Sequence, residues 1–148
     1  MEKGKGTECG IECIGKRKAI AVSSILFSIL HIPSILSIGM EKSNMVIMLL
    51  TIFTAGILLS LLYLKGGLKM AAGFHFSWNY SQYHIFSLRS GFGIFGITVM
   101  KPEYTGGQAG PEAGFLGLLA LIVGILLLLG YSVKNKYLSG FDGCIHHD

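Results

Sequence analysis

Three stretches of this chain run for about 20 residues each without an aspartate, glutamate, lysine or arginine: Ala19 to Met40, Ser43 to Leu64 and Ala113 to Val133. A helix rises about 1.5 Å per residue, so about 20 apolar residues cross the hydrocarbon core of a bilayer. Each stretch is therefore long enough to span. Pro33 falls inside the first, which a helix packed in a bundle tolerates. A fourth stretch, Met70 to Leu88, also lacks those charged residues but carries His75, Ser77, Asn79, Tyr80, Ser81, Gln82 and His84. Such a helix would insert poorly alone but can turn its polar face into a bundle, where polar groups usually mark a pathway or a site. Composition agrees: 14% of the 148 residues are charged and 51% are hydrophobic, against about 25% charged in a soluble domain. The expected fold class is all-α, an integral membrane helical bundle of about four transmembrane helices.

The rest of the chain is read around those spans. Residues 1–18 are polar and basic and read as a cytosolic segment. The apolar run that follows is too long for the h-region of a signal peptide and has no small-residue cleavage site. Residues 134–148 read as a cytosolic tail. Between Ser90 and Glu112 stand eight glycines and prolines, Gly91, Gly93, Gly96, Pro102, Gly106, Gly107, Gly110 and Pro111, a density that breaks helices. Phe92, Ile94, Phe95 and Ile97 in that connection are candidates to dip into the interface. With four spans, the lysines and arginines divide nine inside to three outside, which favours both termini in the cytosol of a multi-pass protein of the cell membrane. The formal charge of +4 sits at the ends of apolar runs, which suits membrane lipid headgroups. No aromatic-plus-basic face that would stack bases is present, so nucleic acid is not an expected partner. Cys9, Cys13 and Cys144 form no disulfide framework, and Cys144 with His146 and His147 reads as solvated tail.

Three side chains stand out chemically. His31 lies well inside the first span and shares a helix face with Phe27, four residues earlier. His75 and Asn79 are also four apart and point the same way. An imidazole beside a carboxamide can bind a metal or a water, or stabilise an oxyanion. Each feature alone also reads as packing, since histidine and asparagine bond across membrane helix interfaces. Together they describe one polar pocket. One difficulty is depth: His31 lies about 18 Å from the start of its span and His75 about 8 Å, unless one helix extends or tilts. His84, nine residues after His75, falls on the opposite helix face and reads as interfacial with Tyr83; Trp78 and Tyr80 read as packing aromatics.

These residues carry a family resemblance. SSILFSILHI (Ser23 to Ile32) resembles the F-x-x-x-H motif of the CPBP family, the CAAX-protease and bacteriocin-processing membrane proteins. KGGLKMAAGFHFSWNY (Lys65 to Tyr80) resembles its H-x-x-x-N motif with the preceding glycine-bearing turn. TGGQAGPEAGFLGLL (Thr105 to Leu119) resembles the lead-in to the family's last helix, and GKRKAIAVSS (Gly15 to Ser24) the lead-in to the first of these motifs. The likeness runs from about Gly15 to Leu129 and corresponds to the C-terminal half of the family domain. It implies an intramembrane endopeptidase acting on a peptide or prenylated-protein substrate. His31 would activate water, while His75 and Asn79 would hold an oxyanion or, with His31, complete a site for a divalent metal such as zinc.

The sequence departs from the family at the first motif, E-E-x-x-x-R, whose glutamate serves as general base. Glu2, Glu8 and Glu12 are the only carboxylates ahead of His31; they are not adjacent, and no arginine follows at the right offset. Glu12 is also too close in sequence to His31 for a separate helix to return it. The reading is therefore a truncated member without its base, inactive or nearly so alone. The alternative is a non-enzymatic immunity or scaffold protein binding a partner through its helix faces, with Gly110, Gly114 and Gly117 allowing close approach. A histidine-linked transporter fits least, as no intramembrane carboxylate or internal repeat supports it.

Overall fold

The computed structural model describes residues 15–85, 94–95 and 102–142. All regular structure in them is helical. Helix α1 is Lys16–Ser37 and α2 is Lys42–Tyr80, continued by a π-helical turn over Ser81–Ile85. After the connection come the short helix α3, Pro102–Thr105, two 3₁₀ turns at Gly107–Ala109 and Pro111–Ala113, and the last helix α4, Phe115–Asp142.

Three long helical elements stand where about four were expected. The expected second and third spans are one element, α2, interrupted where Gly67 adopts φ 74° and ψ −171°. That conformation is open essentially to glycine alone, and it reverses the chain. Ala55, Leu59, Phe74, His75 and Trp78 line one small cavity. In an unbroken helix, Ala55 and Trp78 would stand about 34 Å apart. The two arms of α2 therefore lie side by side, with Leu58 and Leu62 of the first arm clustered with Ala71 of the second and Leu121 of α4. Lys65, at the turn, places its Nζ 4.1 Å from the Tyr131 ring centroid of α4.

Other boundaries also move. Helix α1 begins three residues before Ala19 and stops at Ser37, short of Met40. Helix α4 continues past Val133 to Asp142, so helix occupies much of what reads as a tail in the sequence. The glycine- and proline-rich connection does break the helices: its described part holds only the four-residue α3 and the two 3₁₀ turns. Ile94 and Phe95 are exposed, as an interfacial role requires, and their backbone N–H groups donate to the carbonyls of His84 and Ile85. Phe92, Ile97, residues 1–14 with their carboxylates and cysteines, and the Cys144–His147 segment lie outside the described residues.

Packing is inverted relative to a water-soluble domain. On α1 the buried residues are Ser24, Ser28 and Ile35, while Leu26, Ile29, Leu30 and Leu36 are exposed, Leu30 at 77%. The serine hydroxyls are satisfied within the helix: Ser24 Oγ donates to the Ile20 carbonyl at 2.8 Å and Ser28 Oγ to that of Ser24 at 2.9 Å. Small side chains on the inner face let α1 approach α2 closely, as membrane helices pack. The leucines left outside form apolar faces that water would not tolerate but lipid does. Two helical segments, Lys16–Ser37 and Lys42–Ile85, are long and apolar enough to cross a membrane, and Phe115–Tyr131 is a shorter apolar stretch.

Candidate functional site

His31 and His75 come together from α1 and the second arm of α2. Both line a cavity of about 30 Å³ with Phe27, Thr51, Trp78 and Glu112 among its walls, room enough for a water or two. The depth difficulty is met by Phe27. Its ring lies 4.5 Å from the His31 ring and 5.7 Å, edge-on, from the His75 ring, centroid to centroid. Phe27 sits one turn before His31, so the phenylalanine of the F-x-x-x-H pattern spans the offset between the two imidazoles.

Hydrogen bonds orient both rings. His31 Nδ1 lies 2.7 Å from the Phe27 carbonyl oxygen. A carbonyl only accepts, so Nδ1 carries the hydrogen and Nε2 of the neutral ring is left as an acceptor. Asn79 Nδ2 lies 3.2 Å from His75 Nε2. The amide nitrogen only donates, so His75 Nε2 is the acceptor and its hydrogen sits on Nδ1. The two imidazoles thus hold complementary tautomers, one with a free acceptor and the other with a free donor. Asn79 supports His75 and does not itself line the cavity.

His84 stands apart, as its spacing implies. It is exposed and packs on Tyr80, ring centroids 5.0 Å apart. Trp78 and Phe74 stack at 6.2 Å and wall the cavity on the side of α2.

Among the described residues no group of three histidine, cysteine or acidic side chains is placed to hold a metal ion. Asn79 holds His75 Nε2, so a divalent metal such as zinc on this histidine would take its Nδ1.

Sequence reasoning missed Glu112. It is half-buried in the 3₁₀ turn Pro111–Ala113, and it lines the same cavity as the two histidines. Ala109 and Ala113 on either side are buried against Ile35, Met48 and Ile52, which fixes the turn between the ends of α1 and α2. The only sequence signal was the Gly-Pro-Glu pattern itself.

A larger groove, about 650 Å³, opens on the other side of Phe27 and Leu59, two residues it shares with the small cavity. Its walls are mostly apolar side chains of α1 and the first arm of α2, with Lys16 and Tyr63 among them.

No curated protein and no solved structure matches the chain. A family model does, over residues 9–81: type II CAAX prenyl endopeptidase, Rce1-like. That segment contains both the F-x-x-x-H and the H-x-x-x-N patterns, and with them Phe27, His31 and His75 of the cavity wall and the Asn79 that holds His75. The apolar faces turned outward and the matched segment together make this a membrane protein, and it belongs to the CPBP family through its Rce1-like type II CAAX prenyl endopeptidase segment.

Proposed function

We propose that the chain carries the histidine–asparagine part of an intramembrane endopeptidase centre. The observation behind this reading is the water-sized cavity shared by two imidazoles of opposite tautomer. His31 Nε2 is the acceptor that orients a water. His75, with its hydrogen on Nδ1 and its other nitrogen held by Asn79, donates to the carbonyl oxygen as negative charge develops there. The substrate is a peptide or prenylated protein, as family membership implies. A prenyl chain would lie in the apolar groove, with the scissile bond reaching the cavity past Phe27 and Leu59.

The chain crosses the membrane several times, once in α1, once in each arm of α2 and once in α4, with both termini in the cytosol. The division of lysines and arginines supports that orientation. The 148 residues contain no E-E-x-x-x-R pattern.

The test is hydrolysis of an internally quenched farnesylated peptide by the purified chain in proteoliposomes. Turnover that disappears in His75→Ala supports the reading. Turnover indifferent to His75→Ala, or none above the lipid blank, overturns it.

A further inference from the structure

A carboxylate lines the same cavity as the histidine pair, from the other end of the chain. Glu112 lines the cavity with His31 and His75. It has no hydrogen bond or ion pair with the other described residues. A half-buried carboxylate without a protein partner is solvated by water, and the cavity beside it has room for water. Across that space lies His31, whose Nδ1 is already committed to the Phe27 carbonyl. The other lining side chains are apolar or aromatic apart from the hydroxyl of Thr51, which donates to the Ile47 carbonyl at 2.8 Å.

The position of Glu112 is built into the backbone. Gly106 takes φ 81°, and a Cβ there would run into the Gly110 carbonyl oxygen. A Cβ on Gly117 of α4 would run into the Pro111 carbonyl oxygen. The turn therefore packs directly on the first turn of α4 and on the buried ends of α1 and α2. The family match ends at residue 81, so it says nothing of Glu112.

We infer that Glu112 is the catalytic carboxylate of this chain, activating water in the same cavity as His31 and His75. This rests on the peptidase reading of the histidine pair. Glu112 accepts one proton of a water that His31 Nε2 helps orient. The water oxygen forms a bond to the peptide carbonyl carbon, and the carbonyl π pair moves onto the oxygen, where His75 donates. The oxyanion then re-forms the carbonyl as the C–N bond breaks, and the proton on Glu112 passes to the departing nitrogen. Water and amide are consumed, and an acid and an amine are released.

The experiment uses the full chain in proteoliposomes with the farnesylated peptide, comparing wild type, Glu112→Gln, Glu112→Ala and His75→Ala. Glu112→Gln should lower kcat by about 10²-fold or more with little change in KM, at unchanged helicity and melting temperature. Glu112→Ala should be equally slow and should recover about tenfold on addition of formate, a small carboxylate that fits the vacated space. A purely structural role would not give formate rescue. If His75→Ala abolishes turnover while Glu112→Gln stays within about threefold of wild type, the inference is overturned and the histidine reading stands. Loss of turnover in Glu112→Ala without formate rescue also overturns it. Wild type with no turnover overturns both.

Discussion

Gly56 is where α1 and α2 come closest, and replacing it gives a result whose sign is diagnostic. A Cβ at position 56 would lie 2.8 Å from the Ser24 Cα, 3.1 Å from its Cβ and 3.3 Å from its Oγ. Carbon atoms in contact sit at about 3.5–4.0 Å, so α1 must retreat by about 0.7 Å or more. Mutating Ser24 cannot relieve this, because the nearest atom is backbone. Overpacking of this kind costs about 1–3 kcal/mol. Alanine returns up to about 1 kcal/mol as a better helix former than glycine, so Gly56→Ala should lose a net ~0–2 kcal/mol. Gly56→Leu has a similar propensity gain but a side chain with nowhere to go, and it should prevent α1 from docking. The retreat also draws Phe27 and His31 away from His75, and a misplacement of about 1 Å costs on the order of 10²-fold in rate. The assay is reversible unfolding in mixed detergent micelles followed by helicity, alongside peptide turnover. A Gly56→Ala variant about 1 kcal/mol more stable than wild type would mean that propensity acts unopposed, and the close approach would be refuted.

Three further expectations follow from the same geometry. Gly67→Ala should destabilise by about 1–3 kcal/mol, since φ 74° with ψ −171° is closed to alanine; Gly73→Ala, whose Cβ meets nothing within 4 Å, should cost far less, and equal melting temperatures for the two would exclude a fold-back at Gly67. Asn79→Leu removes the donor to His75 Nε2, so the nitrogen-15 shifts of His75 should report loss of its single tautomer while those of His31 hold; a His75 spectrum unchanged by the substitution would count against the hydrogen bond. Gly106→Ala should break the turn that carries Glu112, giving peptide turnover as low as Glu112→Gln with α1 and α2 still helical by circular dichroism, and wild-type turnover in that variant would show that the turn does not depend on Gly106.

What could be read in advance and what could not divide along one physical line, the range over which a signal acts. Charge-free runs mark α1, α2 and α4 because a span imposes its demand on about 20 consecutive residues. The i, i+4 pairs Phe27–His31 and His75–Asn79 are visible because helix geometry makes them neighbours within their own segments. The glycine-bearing turn read at Lys65 to Lys69 is where the chain turns back, and only Gly67 leaves helical conformation to do it, so the two arms run on as one element. The depths of His31 and His75 disagreed on paper because helical rise ignores side-chain reach; the Phe27 ring, 4.5 Å from one imidazole and 5.7 Å from the other, bridges the gap. Glu112 was out of reach of such reasoning. The cavity residues that precede it all lie more than 30 positions earlier, Trp78 being the last of them, and nothing periodic links them. A search for a base confined to carboxylates ahead of His31 looks where the family keeps its glutamate. A cavity closed by three helices is equally open to a carboxylate from the turn before α4. The glycines at 106, 110, 114 and 117 are the local trace of that approach, since turn and helix come within backbone contact only where no Cβ intervenes.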